Sequence, residues 1–380
     1  MTDLPLPARV CLLPGTIGGG GIGMVMLALA QGFRDQDIAV DLVLAGTLPS
    51  DLAAGRILPE GVRLITLSSR ARGALPPLVR YLRQERPDLL ISARDYINLL
   101  ALAAHRLAGV GPACRLIWSF HTHPTSQRAE MNLFERGLYG ILRRFLRAPD
   151  ARVCVSEGIA DDLARASDLP RAAFQVIDNP SWSSARAQAA TEPCSHPWLA
   201  ARAPGDSDSA QPVLLGIGRL VAQKDFPTLI AAFAQLHQTR PGARLILLGE
   251  GPERAALQAQ ITGLGLQQVI DLPGHVANPL SFLSRADLFV LSSRWEGQPV
   301  ALIEALGCGC QVVSTDCPTG PADILGNGLG LLVPPGDVPA MAAAMSQALQ
   351  DPRPVPERVQ ATLARFALAR AAAAYLALAR

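Results

Sequence analysis

Short, continuously apolar runs alternate with longer stretches of helical periodicity along the whole chain, and this alternation leaves few folds open. ARVCLLP, VDLVLAG, VRLITL, DLLISA, RLIWSF, ARVCVS and FQVIDN read as strands in the first half. PVLLGIG, ARLILLG, QVIDLPG, DLFVLSS, CQVVST and LGLLVP repeat the pattern in the second. A strand that is apolar at every position is buried on both faces, which requires a parallel sheet covered by helices on each side. GMVMLALAQGFRDQ, SEGIADDLARASDLP, FPTLIAAFAQLHQTR, PERAALQAQITGLG and PVALIEALG supply such helices. The period fails from Ser181 to Gln211, a stretch rich in Ala, Ser, Pro and Asp. The expected fold is therefore α/β, with two doubly wound domains at 1–180 and 212–355. Residues 181–211 are expected as a linker or surface excursion. An Ala- and Leu-rich C-terminal helix at 356–380 is expected to dock on one of the domains.

Composition agrees with two globular domains. The chain has 380 residues, and a domain takes about 150. It is 49% hydrophobic and 17% charged, which excludes a disordered chain. A net charge of +2 gives no overall signature for nucleic acid. The seven cysteines are scattered and odd in number, as in a reducing compartment. Cys308, Cys310 and Cys317 lie close together but lack a CxxC pair or a nearby His, so buried core residues are expected there rather than a zinc site. MTDLPLPARV lacks the basic-then-apolar order of a signal peptide, and no apolar run approaches the ~18 residues of a membrane span. The expected location is cytoplasmic.

Four places carry chemistry. PGTIGGGGIGM follows the first strand and opens the first helix, where Gly18, Gly20 and Gly23 match G-x-G-x-x-G. Glycines there let a phosphate or sugar approach backbone N–H groups. A dinucleotide site would also need an acid at the end of the second strand, but Ala45, Gly46 and Thr47 stand there. A ligand-facing loop is expected instead. In LLGIGRLVAQKDFPTLI, Arg219 follows a strand end and Lys224 comes five residues later, just before a helix. Two cations in such a loop suit a diphosphate. Lys224 is also the one lysine among 34 basic residues. DLFVLSSRWEGQPVALIEALG reads strand, loop, helix, with Pro299 near the first turn, Glu296 in the loop and Glu304 in the helix. The N–H groups of Gly297, Gln298 and Val300 would face an anion. Glu304 sits among apolar Val300, Leu302, Ile303, Ala305 and Leu306, so it needs a partner. Ribose hydroxyls would serve. Finally, His121 and His123 lie beyond a strand end, where they could donate to a sugar or phosphate; with no third ligand nearby, a metal pair is disfavoured. Two D-x-D matches, Asp35/Asp37 and Asp206/Asp208, fall at a helix end and in the linker and read as chance.

Together these residues resemble the retaining glycosyltransferases of family 4, whose GT-B fold has two Rossmann-like domains facing a central cleft. The resemblance is strongest from Pro212 to Asp337, through GIGRLVAQKDFPTLIAAF, LGEGPERAAL, LPGHV, SRWEGQPVALIEAL and STDCPTGPADIL. It implies a nucleotide-sugar donor, UDP favoured, held mainly by the second domain, and a glycan or lipid-linked acceptor mainly on the first. Catalytic roles then fall on Glu296 at the transferred sugar, Arg219 and Lys224 at the diphosphate, and His121 near the donor sugar. Donor-binding positions are Gly20 and Gly21 in the closing loop, Gly218, Arg219, Lys224, Gly249, Gly274, Glu296, Gly297, Gln298, Pro299, Val300, and Glu304 at the ribose. Many relatives carry an acid and an Arg just after the loop glycines, where this chain has Gly23 and Met24.

The implied chemistry needs no cofactor and no metal. Negative charge builds on the leaving diphosphate, and Arg219, Lys224 and a helix N-terminus would stabilise it. The implied product is a cell-surface polysaccharide or glycolipid. AEMNLFERGLYGILRRFLR reads as a basic amphipathic helix, with Arg136, Arg143 and Arg147 on one face. Residues 130–147 would then contact an anionic inner leaflet, the alternative being an ordinary solvated face. Two rival functions are an NAD(P)-dependent oxidoreductase, opposed by the missing ribose acid, and a nucleotide-sugar binder without catalysis.

Overall fold

The computed structural model describes residues 6–379 apart from 16, 18–20, 47–57, 69–72, 129, 207–209 and 327. The chain divides into two compact units, one running to Pro180 and resuming at Ala367, the other from Ser181 to Phe366. The first unit holds β1 (Arg9–Gly15), α1 (Gly21–Arg34), β2 (Ala39–Leu44), β3 (Val62–Thr66), α2 (Leu75–Glu85), β4 (Leu89–Ala93), α3 (Asp95–Ala108), β5 (Arg115–Phe120), α4 (Pro124–Arg128), α5 (Leu133–Arg144), β6 (Ala151–Cys154), α6 (Glu157–Arg165) and β7 (Gln175–Val176). Its seven strands run parallel in the order β3-β2-β1-β4-β5-β6-β7.

The second unit holds α7 (Ser184–Ala190), β8 (Val213–Ile217), α8 (Phe226–Thr239), β9 (Arg244–Leu248), α9 (Arg254–Gly263), β10 (Ile270–Gly274), α10 (Leu280–Leu283), β11 (Leu288–Leu291), α11 (Val300–Gly307), β12 (Gln311–Thr315), α12 (Pro321–Leu325), β13 (Leu331–Val333), α13 (Val338–Ala348) and α14 (Pro356–Leu363). Its strand order is β10-β9-β8-β11-β12-β13, again all parallel. Each expected strand is present. Each sheet reverses its winding once, between β1 and β4 and between β8 and β11. At such a reversal the loops leaving the two strands diverge and open a crevice at their carboxyl ends, where ligands of open α/β sheets bind.

Burial explains the apolar runs. β4 is buried at every position, and Trp118 of β5 is sealed in the core. A buried carboxylate interrupts the first sheet: Asp41 of β2 is 1% exposed. Tyr81 donates to it at 2.7 Å, Arg63 at 2.7 Å and Arg9 at 3.2 Å. Burial works to raise its carboxyl pKa, but these donors prevail and hold it below the ordinary value.

Two expectations about segments differ from the structure. Residues 181–211 form part of the second unit. Ser183 caps α7 by accepting from the N–H of Arg186, Cys194 and Leu199 are buried in the core, and Arg202 pairs with Asp287 at 2.6 Å. The stretch has no period because its apolar residues enter the core one at a time. The tail is two helices rather than one. After α14, a short turn buries Phe366, whose carbonyl accepts from the N–H groups of Ser181 and Trp182. The chain then re-enters the first unit as α15 (Leu368–Ala377). There Ala372 packs on Gly32 of α1. No helix among the described residues is long and apolar enough to cross a membrane.

Candidate functional site

The loops leaving β8 and β11 meet at the reversal point of the second sheet. The ends of β8 and β9 are drawn together there: the N–H of Gly218 donates to Leu248, and that of Gly249 to Gly274. Gly249 has φ +136°, and a Cβ on it would stand 1.9 Å from the Gly218 carbonyl oxygen. No other residue fits that crossing. Gly274 closes β10 with φ +89° beside the Glu250 carboxylate. At Gly218, a Cβ would come within 3.1 Å of the Lys224 methylenes, so the missing side chain leaves a channel for the lysine stem.

Lys224 ends a short turn (Ala222–Lys224), and Asp225 then starts α8 from the left-handed region at φ 47°. The Lys224 ammonium donates to Glu296 Oε1 at 2.5 Å, and Ser293 donates to the same oxygen at 2.6 Å. Glu296 is 6% exposed, and its Oε2 has no hydrogen-bond partner among the described residues. Hydrogen bonds to backbone carbonyls fasten the two loops: Ser292 Oγ donates to Lys224 at 2.7 Å, the N–H of Arg294 to Gln223 at 2.8 Å, and Gln223 Nε2 to Trp295 at 2.9 Å. Thr319 donates to the Glu296 carbonyl from the loop after β12. Arg219 is exposed and its guanidinium has no partner among the described residues. Among the described residues the site therefore offers a cation paired with a carboxylate, a cation with no counter-ion, and one carboxylate oxygen with no donor.

Gly297 and Gln298 are buried in the following loop, and Pro299 caps α11 with φ −74° and ψ 100°. The N–H groups of Leu302 and Ile303 return to the Pro299 carbonyl, which leaves Val300 and Ala301 ahead of the helical ladder. Glu304 is 5% exposed and pairs with Arg186 of α7. Burial lowers the Arg186 pKa, and its Nε has no partner among the described residues. Sequence reasoning missed Arg186 because it lies in the stretch read as a linker. The signal that could have found it was the demand of a carboxylate among apolar neighbours for a cation.

His121 lies in the first unit, just beyond β5. Its Nε2 is 2.9 Å from Ser119 Oγ, which is 3.0 Å from the hydroxyl of Tyr375 on α15. Burial, and secondly the Arg94 guanidinium, pull its pKa down to about 3, so the ring is neutral at physiological pH. His123 turns to other partners, Ser126 at 2.8 Å and Asp162 at 3.8 Å. Among the described residues no three His, Cys, Asp or Glu side chains converge. Of the glycine loop, Gly18 and Gly20 lie outside the described residues, while Gly21 opens α1. Cys308, Cys310 and Cys317 are free thiols pushed by burial up to about 12.

The family profile described as Glycosyltransferase Family 4 matches residues 19–180, and that described as Glycosyl transferases group 1 matches residues 200–363. The chain belongs to the family 4 glycosyltransferases. Over 217 residues this family member is 34% identical to the lipopolysaccharide core biosynthesis glycosyltransferase LpsE of Rhizobium meliloti, covering 57% of this chain and 58% of that one. Over 113 residues it is 45% identical to an uncharacterized glycosyltransferase of Methanocaldococcus jannaschii, covering 30% and 28%. In both cases the match spans less than two thirds of the relative. Among solved structures, Anabaena HepE in complex with UDP and glucose superposes with a TM-score of 0.75 at 20% identity, covering 96% of this chain and 97% of that one. TarM of S. aureus in a complex with UDP gives 0.75 at 12% identity, covering 98% and 100%. These likenesses establish the fold, which is GT-B with two Rossmann-like domains.

Proposed function

We propose that this family 4 member is a retaining glycosyltransferase. It moves a hexose-type sugar from a nucleotide-sugar donor, with UDP favoured, to a glycan or lipid-linked acceptor in cell-surface polysaccharide or glycolipid synthesis. The observation that carries this reading is the Lys224–Glu296 pair at the reversal point of the second sheet, with Lys224 in the same loop as Arg219, which has no partner among the described residues. A donor diphosphate arriving there meets Arg219 directly and competes with Glu296 for Lys224. Glu296 would be freed towards the transferred sugar as that exchange occurs. The ammonium and guanidinium then stabilise the charge that grows on the leaving diphosphate. The names of the relatives, which include lipopolysaccharide and diphospho-undecaprenol glycosyltransferases, support the acceptor class.

A thermal-shift panel of nucleotide sugars tests the reading. At a hundredfold excess over Kd, the true donor stabilises the folded chain by about 2.7 kcal/mol. Release of the free nucleotide in the presence of acceptor extract separates a transferase from a mere binder. A flat response to every nucleotide sugar overturns the proposal.

The helix α5 favours a further reading, contact with an anionic membrane. Tyr139 and Leu142 face the core, while Leu133, Phe134 and Ile141 are 87%, 72% and 51% exposed beside Arg136, Arg143 and Arg144. Arg147, expected on the basic face, lies past the helix end and donates to the Asp168 carbonyl. Exposed apolar side chains flanked by arginines suit an interfacial helix. Sedimentation with vesicles containing phosphatidylglycerol tests it: Phe134→Ser with Arg143→Glu should abolish binding, and unchanged binding removes the idea.

A further inference from the structure

The reversal point of the first sheet is built from the same kinds of residue as that of the second, with a difference. Arg94 follows β4 directly, beside Gly15 at the end of β1 and His121 beyond β5. In the second unit the cation and carboxylate at this place are paired. In the first unit Arg94 and the adjacent Asp95 pair neither with each other nor with any other side chain among the described residues, and Arg94 Nε is buried without a partner. Tyr139 is 5% exposed, and its hydroxyl is likewise buried without a partner. Asp95 lies near enough for its charge to act on Tyr139, as Arg94 acts on His121.

Arg94 is also held at φ 80° and ψ 142°, as the cap residue of α3. That backbone favours glycine, and a side chain there is strained. Strain and unmet buried polar groups both cluster where a structure awaits a ligand. A guanidinium with no counter-ion takes a phosphate or carboxylate through paired N–H donors. Burial lifts the Asp95 carboxyl to about 6, so near neutral pH it is mostly ionised and close to exchange, able to accept from hydroxyls.

We propose that the reversal point of the first unit binds a saccharide bearing an oxyanion, a phosphate or a carboxylate, with Arg94 as its cation and Asp95, Tyr139 and His121 as partners for its hydroxyls. This deepens the transferase reading, on which it rests only in taking that saccharide to be the acceptor.

Calorimetric titration of the full chain with glucose 6-phosphate, D-glucuronate and neutral glucose tests the site. Both sugar acids should bind, glucose should not, and whichever acid binds more tightly identifies the anion. Arg94→Met should weaken the preferred acid at least tenfold while leaving UDP affinity unchanged. Arg219→Ala with Lys224→Ala should do the reverse. Arg94→Gly guards against misfolding: it relieves the strained backbone, so the melting temperature should hold or rise while sugar-acid binding is lost. The proposal is overturned if neither acid binds, if Arg94→Gly binds them normally, or if the Arg219/Lys224 double variant loses them too. Nucleotide sugars that bind while sugar acids do not sink this site alone. Sugar acids that bind while no nucleotide sugar does sink the transferase reading instead.

Discussion

Lys224 and Glu296, 72 residues apart in the chain, are joined at 2.5 Å across the two strand ends that flank the reversal of the second sheet. The pair holds the lysine stem over Gly218 and fixes the position of the ammonium. Lys224→Ala should cut transfer by a factor of about 10²–10³, corresponding to one lost charged donor at a developing anion. It should also lower stability, because the Glu296 carboxylate then keeps only Ser293 as a donor among the described residues. Adding Glu296→Gln should restore stability without restoring transfer. Lys224→Arg should remain impaired, since a planar fork does not fit a channel shaped by a linear stem. The residue is the sole lysine, so the protein labelled with ¹⁵Nζ-lysine has one side-chain signal, which should shift when UDP binds. Full activity in Lys224→Arg would remove the special role.

Arg186 and Glu304 form a second buried pair, and breaking it from one side should be costly. Arg186→Met leaves Glu304 buried among apolar side chains, and losing one partner of a buried pair costs about 3–5 kcal/mol. Glu304→Gln should destabilise less, and the double variant should recover part of the loss. Chemical denaturation of the three variants checks the order. If Glu304 also holds the donor ribose, Arg186→Met should alter UDP affinity while leaving pyrophosphate affinity unchanged.

The strands were legible because both sheets are parallel and covered on both faces, so each strand is apolar throughout, as in LLISA of β4. Lys224, Arg219 and Glu296 were legible as candidates because strand-to-helix loops of such sheets line the ligand crevice. The pairing of Lys224 with Glu296 was not, since it depends on β8 and β11 being neighbours, which strand order decides. Arg186 was hidden for a different reason: a seven-residue helix followed by irregular chain leaves no periodic trace. The tail's division at Phe366 was equally invisible, because the residues on both sides favour helix and only the core receiving Phe366 interrupts them.

Stability of the first unit should respond to pH through two opposed groups. His121 has a folded pKa near 3, below its ordinary 6.5, so the unfolded chain binds more protons in that interval and stability falls as pH drops from 6.5. Asp95 is raised from 3.8 to about 6, so the folded chain binds more protons there and stability falls as pH rises through that range. The two largely offset each other between about pH 4 and 6. Asp95→Asn should expose the histidine's slope, at most about 1.4 kcal/mol per pH unit, and His121→Asn should expose the opposite slope. Urea titrations at pH 4.5, 5.5 and 7 check this. Parallel pH profiles in the two variants would contradict it.

Tyr375 reaches His121 through one buried hydroxyl. Ser119 Oγ stands 3.0 Å from the tyrosine hydroxyl and 2.9 Å from His121 Nε2, and both Ser119 and Tyr375 are buried. When Tyr375 donates to Ser119, the serine proton is directed at Nε2 and the imidazole carries its proton on Nδ1. A ring that stays neutral and in one tautomer presents a single fixed donor to a sugar hydroxyl. Tyr375→Phe should therefore lower kcat about fivefold, the worth of one neutral hydrogen bond, with little change in the donor KM. Ser119→Ala should do more, because Nε2 then loses its partner. ¹⁵N shifts of the His121 ring give a readout independent of catalysis: one tautomer in the native protein, a mixture in both variants. An unchanged tautomer together with unchanged kcat in Tyr375→Phe would reduce α15 to packing on α1.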